Sequence, residues 1–221
     1  MQAVDTIVLL SGGLDSALIL AMTKEEGKKV LALSFDYGQR HKVELKYAQK
    51  LADHYGALHR VFQIDPRAVA SSLVSNAPIP KDRTLAEIEQ GGASPTYVPA
   101  RNTIFLSFAL GQAEMIGAKE IHFGPNAHDK FGYPDCSLEY IAAFQNLLNI
   151  ASREAPKLTA PLIHMTKQEI REKAEEMSVP IDLTFSCYDP TPEGRHCLRC
   201  DACAIRFSNE TLPSYCTRPG R

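Results

Sequence analysis

The sequence predicts an α/β fold, a doubly wound and mostly parallel sheet with a small cysteine-rich subdomain at its C-terminal end. Three observations predict it. Short β-branched and apolar runs alternate with stretches of helical periodicity through the first 180 residues or so. The loops that follow the strands are polar and glycine-bearing. Cys187, Cys197, Cys200 and Cys203 crowd the last quarter.

The elements follow in order. Residues 6–10 are a short apolar strand, stopped by Ser11-Gly12-Gly13-Leu14-Asp15-Ser16. Apolar residues then recur at helical spacing (Leu14, Ala17, Leu18, Ala21, Met22) until Gly27. Residues 30–35 read as a second strand, 42–55 as a helix closed by Gly56, and 59–64 as a third strand. Residues 71–99 are long, irregular and proline-rich, a candidate flap. Residues 101–116 form a helix with Ile104, Phe105, Phe108 and Met115 on one side and Gly117 at its end. A strand at 120–123 and a helix at 138–152 follow, and Thr166-x-x-Glu169 is the capping box of the last long helix. The expected division is an α/β domain over 1–180 and a metal-binding subdomain over 181–221.

Alternating strands and helices imply parallel pairing, and such sheets bind ligands at the carboxyl ends of their strands. Three polar loops lie on that edge: SGGLDS, FDYGQRH (35–41) and FGPNAHDKFGYPDC (123–136).

Of 221 residues, 44% are hydrophobic and 23% charged, which suits a globular protein with a sizeable core. The net charge of -2 offers no footprint for stable nucleic-acid binding. No run approaches the roughly 18 apolar residues of a membrane span, and no basic segment leads into a signal-like stretch. The expected location is cytoplasmic. Thiols stay reduced there, so the cysteines read as metal ligands rather than a disulfide framework.

The first loop can cradle an anion. Paired glycines let amides point inward, the following helix adds its positive end, and Ser11 and Ser16 add hydroxyls. It is neither a Walker A loop nor a dinucleotide fingerprint. A plain strand-to-helix turn with polar caps is the bland alternative. Asp15 is out of place in an anion cradle unless it caps the helix or meets Mg2+.

Cys197-x-x-Cys200-x-x-Cys203, with Cys187 as the fourth ligand, suits tetrahedral Zn2+. An iron–sulfur cluster also takes four cysteines, and free thiols are the bland reading. His196 could replace one ligand. Arg101 and Asn102 open a helix, where Arg101 reads a phosphate or Asn102 merely caps. Around Gly132, the residues Asn126, His128, Asp129, Tyr133 and Asp135 could hold a planar hydrogen-bonding ligand, with Tyr133 stacking and the aspartates accepting from ring N–H groups. His41 has the most polar neighbours of the scattered histidines.

The S-G-G-x-D-S string resembles the pyrophosphate loop of the PP-loop ATPases, which cut ATP between the α and β phosphates. The full set runs in order from Ser11 to Cys203: S-G-G-x-D-S, F-D-Y-G-Q-R-H, V-P-A-R-N-T-I-F-L-S, G-Y-P-D-C, S-C-Y and C-x-x-C-x-x-C. It resembles the 7-cyano-7-deazaguanine synthase (QueC) family.

That resemblance implies an ATP-dependent ligase. It would convert 7-carboxy-7-deazaguanine and ammonia to the nitrile through an adenylated carboxylate and an amide, in queuosine biosynthesis. It implies that Leu10, Ser11, Gly12, Gly13, Leu14, Asp15 and Ser16 hold ATP pyrophosphate and its Mg2+. Arg40 and Arg101 balance phosphate charge, and Lys167 contacts phosphate. Tyr133 and Asp135 face the deazapurine, with Gln39, His41, Asn102 and Asp129 completing the substrate set. Zn2+ sits on the four cysteines, and the chain forms a homodimer. The sequence departs from the family pattern at Phe131, where a serine is common, at Ser137, where an arginine is, and at Leu198, where a glycine is. A PP-loop enzyme acting on another carboxylate, a tRNA thiolase and a nucleotide-binding sensor are the competing readings.

Overall fold

A computed structural model describes residues 3–65, 71–75, 77–90, 96–129 and 132–208, without the side chains of 89 and 90. Phe131 and Cys216 lie outside the described residues, as does part of the 71–99 flap.

Among the described residues five strands form one sheet: β1 (Thr6–Leu9), β2 (Val30–Asp36), β3 (Leu58–Gln63), β4 (Glu120–His122) and β5 (Lys157–Thr159). Their order is β3-β2-β1-β4-β5, and every pairing is parallel. β5 is the strand that periodicity did not reveal. Three residues behind Pro156 carry too little alternation to read.

The helices are α1 (Leu14–Glu25), α2 (Val43–His54), α3 (Leu85–Gln90), α4 (Arg101–Ile116), α5 (Leu138–Ala151), α6 (Lys167–Glu176) and α7 (Asp201–Arg206). Strand alternation distributes them over the two faces. Val8 and Ala32 face α1, Ala48 and Leu51 of α2, and Ile170 and Ala174 of α6. Ile7, Leu31, Leu33 and Ile121 face Leu106 and Ala109 of α4 and Phe144 and Leu148 of α5. α1 is buried on nearly all sides, with Leu18, Ile19 and Leu20 fully enclosed. It is therefore a fixed platform for the loop that opens it.

Local chemistry sets the helix starts. The expected capping box is present: Thr166 Oγ1 accepts from Glu169 N (3.2 Å) and Glu169 Oε2 accepts from Thr166 N (2.7 Å). It fixes Lys167 as the first residue of α6. Ser137 caps α5, its Oγ accepting from Tyr140 N at 3.1 Å. A serine at that position thus does local structural work. α4 is capped from a distance, since Asp135 Oδ2 accepts from Asn102 N at 3.0 Å. Asn102 itself lies inside the helix and is not the cap.

The strand order reverses between β1 and β4. The crevice at their carboxyl ends is the topological switch point, where open α/β sheets bind ligands. Gly12 lines up the loop there. Its φ is +89°, and a Cβ would lie 2.4 Å from Glu44 O and 3.0 Å from Ala48 N, both backbone atoms of α2. Gly12→Ala should therefore lower stability by about 2–4 kcal/mol in urea unfolding, since it combines backbone strain with a forced displacement of α2. A wild-type midpoint would contradict this packing.

Candidate active site

The SGGLDS loop closes on itself. Ser11 N donates to Ser16 Oγ (3.2 Å), the two hydroxyls lie 3.1 Å apart, and Ser16 Oγ donates to Gly13 O (3.0 Å). α1 starts after Gly13, in extended backbone and with no side-chain cap. The first-turn N–H groups and the positive end of the helix face the switch-point crevice, an arrangement that stabilises an anion.

Asp15 is explained by its partners. Lys167 Nζ donates to its Oδ2 at 2.5 Å, and Asn126 Nδ2 donates to the same oxygen at 3.0 Å. Asn126 also donates to Asp129 Oδ2, from Nδ2 at 2.6 Å and from its backbone N at 3.0 Å. Burial pushes the Asp129 carboxyl above its usual range; Lys167 opposes that and Asp15 adds to it. Burial disfavours the Lys167 ammonium, but the two carboxylates outweigh it and hold its pKa above the ordinary value. One cation thus ties the first loop to the loop after β4. The Asp15 side chain keeps 22% of its surface exposed, so its carboxylate remains within reach of a cation in the cavity.

Arg101 occupies the α4 end of the site among Tyr37, Tyr133 and Tyr188. Burial works against its charge, yet those hydroxyls and Asp135 hold the guanidinium firmly protonated. Burial pushes the Tyr37 hydroxyl up to about 12, with Arg101 opposing. Tyr133 lies 3.1 Å from the Thr96 hydroxyl, and its ring centroid is 6.1 Å from that of Tyr97. Cys136 is no nucleophile here: burial, then Asp129 and Asp135, push its thiol up to about 12.

These groups surround one cavity of about 520 Å³, within the usual range for a small-molecule site. Leu10, Ser11, Gly13, Leu14, Asp15 and Ser16 line one side of it. His41, Arg101, Asn102, Asp129, Tyr133 and Lys167 line the other. Four expected site residues stand apart from the lining. Gly12 packs on α2. Gln39 is fully buried, donating to Phe35 O and Glu44 Oε1. Asp135 caps α4. Arg40 pairs with Asp189 at 2.9 Å and donates to Ala77 O. Glu44 and Arg83 are among the lining residues that escaped the sequence reading. Glu44 had a faint signal, three residues after His41 on one helical turn; Arg83 had none, because its partner Asp201 lies 118 residues away.

The four sulfurs of Cys187, Cys197, Cys200 and Cys203 lie within 4.8 Å of one another. Two of the pairs are 3.9 Å apart. A tetrahedron with Zn–S of about 2.3 Å has edges of about 3.8 Å, so the cluster fits a single zinc ion. A polynuclear cluster would put each thiolate on a different iron and spread them further. Backbone N–H groups of Cys197, Cys200 and Tyr188 donate to the sulfurs at 3.3–3.4 Å, offsetting thiolate charge. Leu198 takes φ +60°, the left-handed turn for which glycine is the unstrained residue. His196 is not a ligand. It is buried, its ring 4.3 Å from that of Phe185, and its Nε2 accepts from Ser186 N.

The flap is strapped to this knuckle. Lys81 bridges Cys200, Asp82 N donates to Arg199 O (2.7 Å), and Arg199 and Arg83 pair with Asp82 and Asp201. Lys81 Nζ reaches Asp189 at 2.7 Å.

A model of the family described as queuosine biosynthesis protein QueC matches residues 5–210. The chain belongs to the QueC family. It is 50% identical over 209 residues to the 7-cyano-7-deazaguanine synthase of Geotalea daltonii, spanning 91% of this chain and 89% of that protein. To the enzyme of that name from Geobacter metallireducens it is 48% identical over 209 residues, spanning 91% and 86%. Among solved structures, the U34-tRNA thiolase NcsA from Methanococcus maripaludis, with its [4Fe-4S] cluster, shares the fold at a TM-score of 0.53 and 14% identity. The match spans 94% of this chain and 64% of that one. The matched QueC span includes the phosphate loop, the Tyr133 loop and all four knuckle cysteines. No helix among the described residues is long and apolar enough to cross a membrane.

Elemental analysis should give about one zinc per chain and no acid-labile sulfide. Removing the metal under reducing conditions should speed amide exchange at Asp82, whose N–H is bonded to the knuckle. Unchanged exchange in the metal-free protein would show that the strap does not depend on the metal.

Proposed function

We propose that this protein is an ATP-dependent carbon–nitrogen ligase. It converts 7-carboxy-7-deazaguanine and ammonia to 7-cyano-7-deazaguanine, a precursor of queuosine in tRNA. Membership of the QueC family supports this reading. The observation that carries it is one cavity with two unlike halves, an anion cradle at the α1 N-terminus and an aromatic, hydrogen-bonding wall at Tyr133 and Arg101.

A carboxylate is a poor electrophile because its leaving group would be oxide. Attack of a carboxylate oxygen on the α-phosphorus of ATP breaks the α–β bond and makes AMP the leaving group. The departing pyrophosphate rests in the cradle of Ser11, Ser16 and the α1 amides, facing Lys167. Asp15 would hold Mg2+, which neutralises phosphate charge when bound. Arg101 balances charge on the acyl-adenylate. Ammonia then displaces AMP to give the amide. Activation of the amide oxygen by a second ATP, followed by loss of AMP, gives the nitrile. Most of the protein's contribution is positioning and fixed charge.

The proposed C-terminal subdomain, 181–221, is pinned by zinc, its described residues Phe185, Ser186 and Tyr188 wall the cavity, and ATP, Mg2+ and Zn2+ are the bound species. The protein works in the cytoplasm without stable nucleic-acid or membrane contact. It pairs as a homodimer, for which the exposed Ile150 and Met115 (87% and 56%) are candidate contacts. The ion pair between Arg40 and Asp189 makes Arg40 a strut of the flap as well as a candidate phosphate ligand.

With ATP, Mg2+, ammonium and 7-carboxy-7-deazaguanine, mass spectrometry should find AMP, the amide and the nitrile. ATP turnover with neither organic product would overturn the assignment. Asp15→Ala should cut AMP formation at least about 100-fold, and full activity in that variant would remove the role given to the loop. Arg101→Ala should cost more in kcat/KM than Arg40→Ala, because only Arg101 lines the cavity. The reverse order would move the phosphate contact to the flap.

A further inference from the structure

We propose that His41 is the proton acceptor for carbon–nitrogen bond formation in this cavity, oriented by Glu44 and Gln39. The inference rests on the ligase reaction proposed above and deepens it.

That reaction releases protons from nitrogen in both of its halves. When ammonia attacks the acyl-adenylate, a C–N bond forms and the C–O bond to AMP breaks with its electron pair. One N–H proton must then leave nitrogen. The amide nitrogen carries two protons and the nitrile none, so both leave in the second half, one from the adenylated amide and one as the C–O bond to AMP breaks and the nitrile forms. A base held in the cavity lets those protons leave in step with bond making and breaking.

Most of the acidic and basic groups around the cavity are committed elsewhere. Asp15 Oδ2 accepts from Lys167 and Asn126, and Asp129 Oδ2 accepts twice from Asn126. Arg101 and Lys167 are held protonated. His128 is exposed to solvent.

His41 differs from all of these. It lines the cavity at 5% exposure. Its Nε2 lies 3.3 Å from Glu44 Oε2, which assigns the proton to Nε2 and the lone pair to Nδ1. Nδ1 is buried and has no hydrogen-bond partner among the described residues. The other two imidazoles near the sheet are fully paired. His122 bonds Thr23 through Nδ1 and Glu120 through Nε2, and His59 bonds Gln49 and Ser34 in the same way. His122, the buried histidine of the sheet, satisfies both nitrogens; His41 keeps one in reserve. A buried nitrogen left without a partner beside a cavity is the kind of exception that a catalytic role explains.

The support behind the ring is rigid. Glu44 Oε1 accepts from Gln39 Nε2 at 2.9 Å. Gln39 in turn donates to Phe35 O (3.0 Å) and accepts from Tyr37 N (2.9 Å). Glu44 therefore orients the imidazole and stabilises the imidazolium formed when the proton arrives, as a carboxylate does behind a catalytic histidine. The charged and titratable groups facing the ring are Glu44 from α2, Arg101 from α4 and Tyr188 from the knuckle segment, its ring 6.0 Å away. Burial lowers the His41 pKa, Glu44 draws it back up and Arg101 presses it down, and the balance lies below the ordinary histidine value. The ring is neutral near pH 7 and can accept.

The test separates adenylation from amination in the full-length, metal-loaded protein. In His41→Gln, cooperative urea unfolding shows that the variant folds, and the ATP–pyrophosphate exchange dependent on 7-carboxy-7-deazaguanine that it retains is the reference for the amination step. Amide and nitrile formation should fall about 100-fold or more. At constant free ammonia, the acidic limb of the wild-type rate profile should disappear in the variant. Glu44→Gln removes the charge that raises the His41 pKa, so it should move that limb to lower pH. The proposal is wrong if His41→Gln makes nitrile at the wild-type rate, if exchange falls in step with amination, or if the limb stays put in Glu44→Gln. A wild-type protein that makes neither amide nor nitrile removes the ligase reading itself, a result distinct from any of these.

Discussion

The site depends on how closely Gly12 lets the first loop approach its surroundings. Its carbonyl accepts from Phe185 N at 2.8 Å, and its missing Cβ leaves room for Glu44 O of α2. One residue thus joins the phosphate cradle, the helix that carries Glu44 and the segment that leads into the cysteine knuckle. These contacts are to backbone, so no rotamer change could relieve a side chain there. The anion cradle and the imidazole of His41 keep a fixed separation because both are referred to the same glycine.

Electrostatics then decides how an acid can sit in an anion cradle. Asp15 is balanced by Lys167, and Asn126 ties Asp15 to Asp129. The arrangement joins the loops after β1 and β4, which flank the switch point, and so braces the crevice where a ligand must enter. Arg101 provides the opposing fixed charge from α4. Two cations across a cavity of this size suit a reaction in which negative charge moves from a carboxylate to a phosphate and then leaves as AMP.

The knuckle closes the site on its open side. Phe185, Cys187 and Cys200 pack into the same apolar cluster as Ile7 and Leu106 of the sheet face. The metal ligands are therefore continuous with the core rather than hung from it. Through Asp82, Arg83 and Lys81 the same segment grips the flap, so the four-cysteine knuckle, whose geometry suits zinc, ties the flap to the wall of the cavity.

The sequence by itself determined the class of fold, the long elements and the place of the first loop between a strand and a helix. These rest on local rules: periodicity over a dozen residues, a capping box at Thr166 and Glu169, two glycines before a helix. Cys-x-x-Cys-x-x-Cys was legible for the same reason, since a turn fixes the spacing of its sulfurs. β5, α3 and α7 were not legible, because elements of three to six residues carry too little periodicity and are held in place by their neighbours. The tertiary structure alone decided which polar residues face the cavity. Asp135 looked like a ligand contact and is a remote cap for α4; Arg40 looked like a phosphate arginine and is paired with Asp189, 149 residues away. A side chain's composition states what it could bind. Which partner it finds depends on chain crossings that bring distant segments together, and no local pattern encodes them.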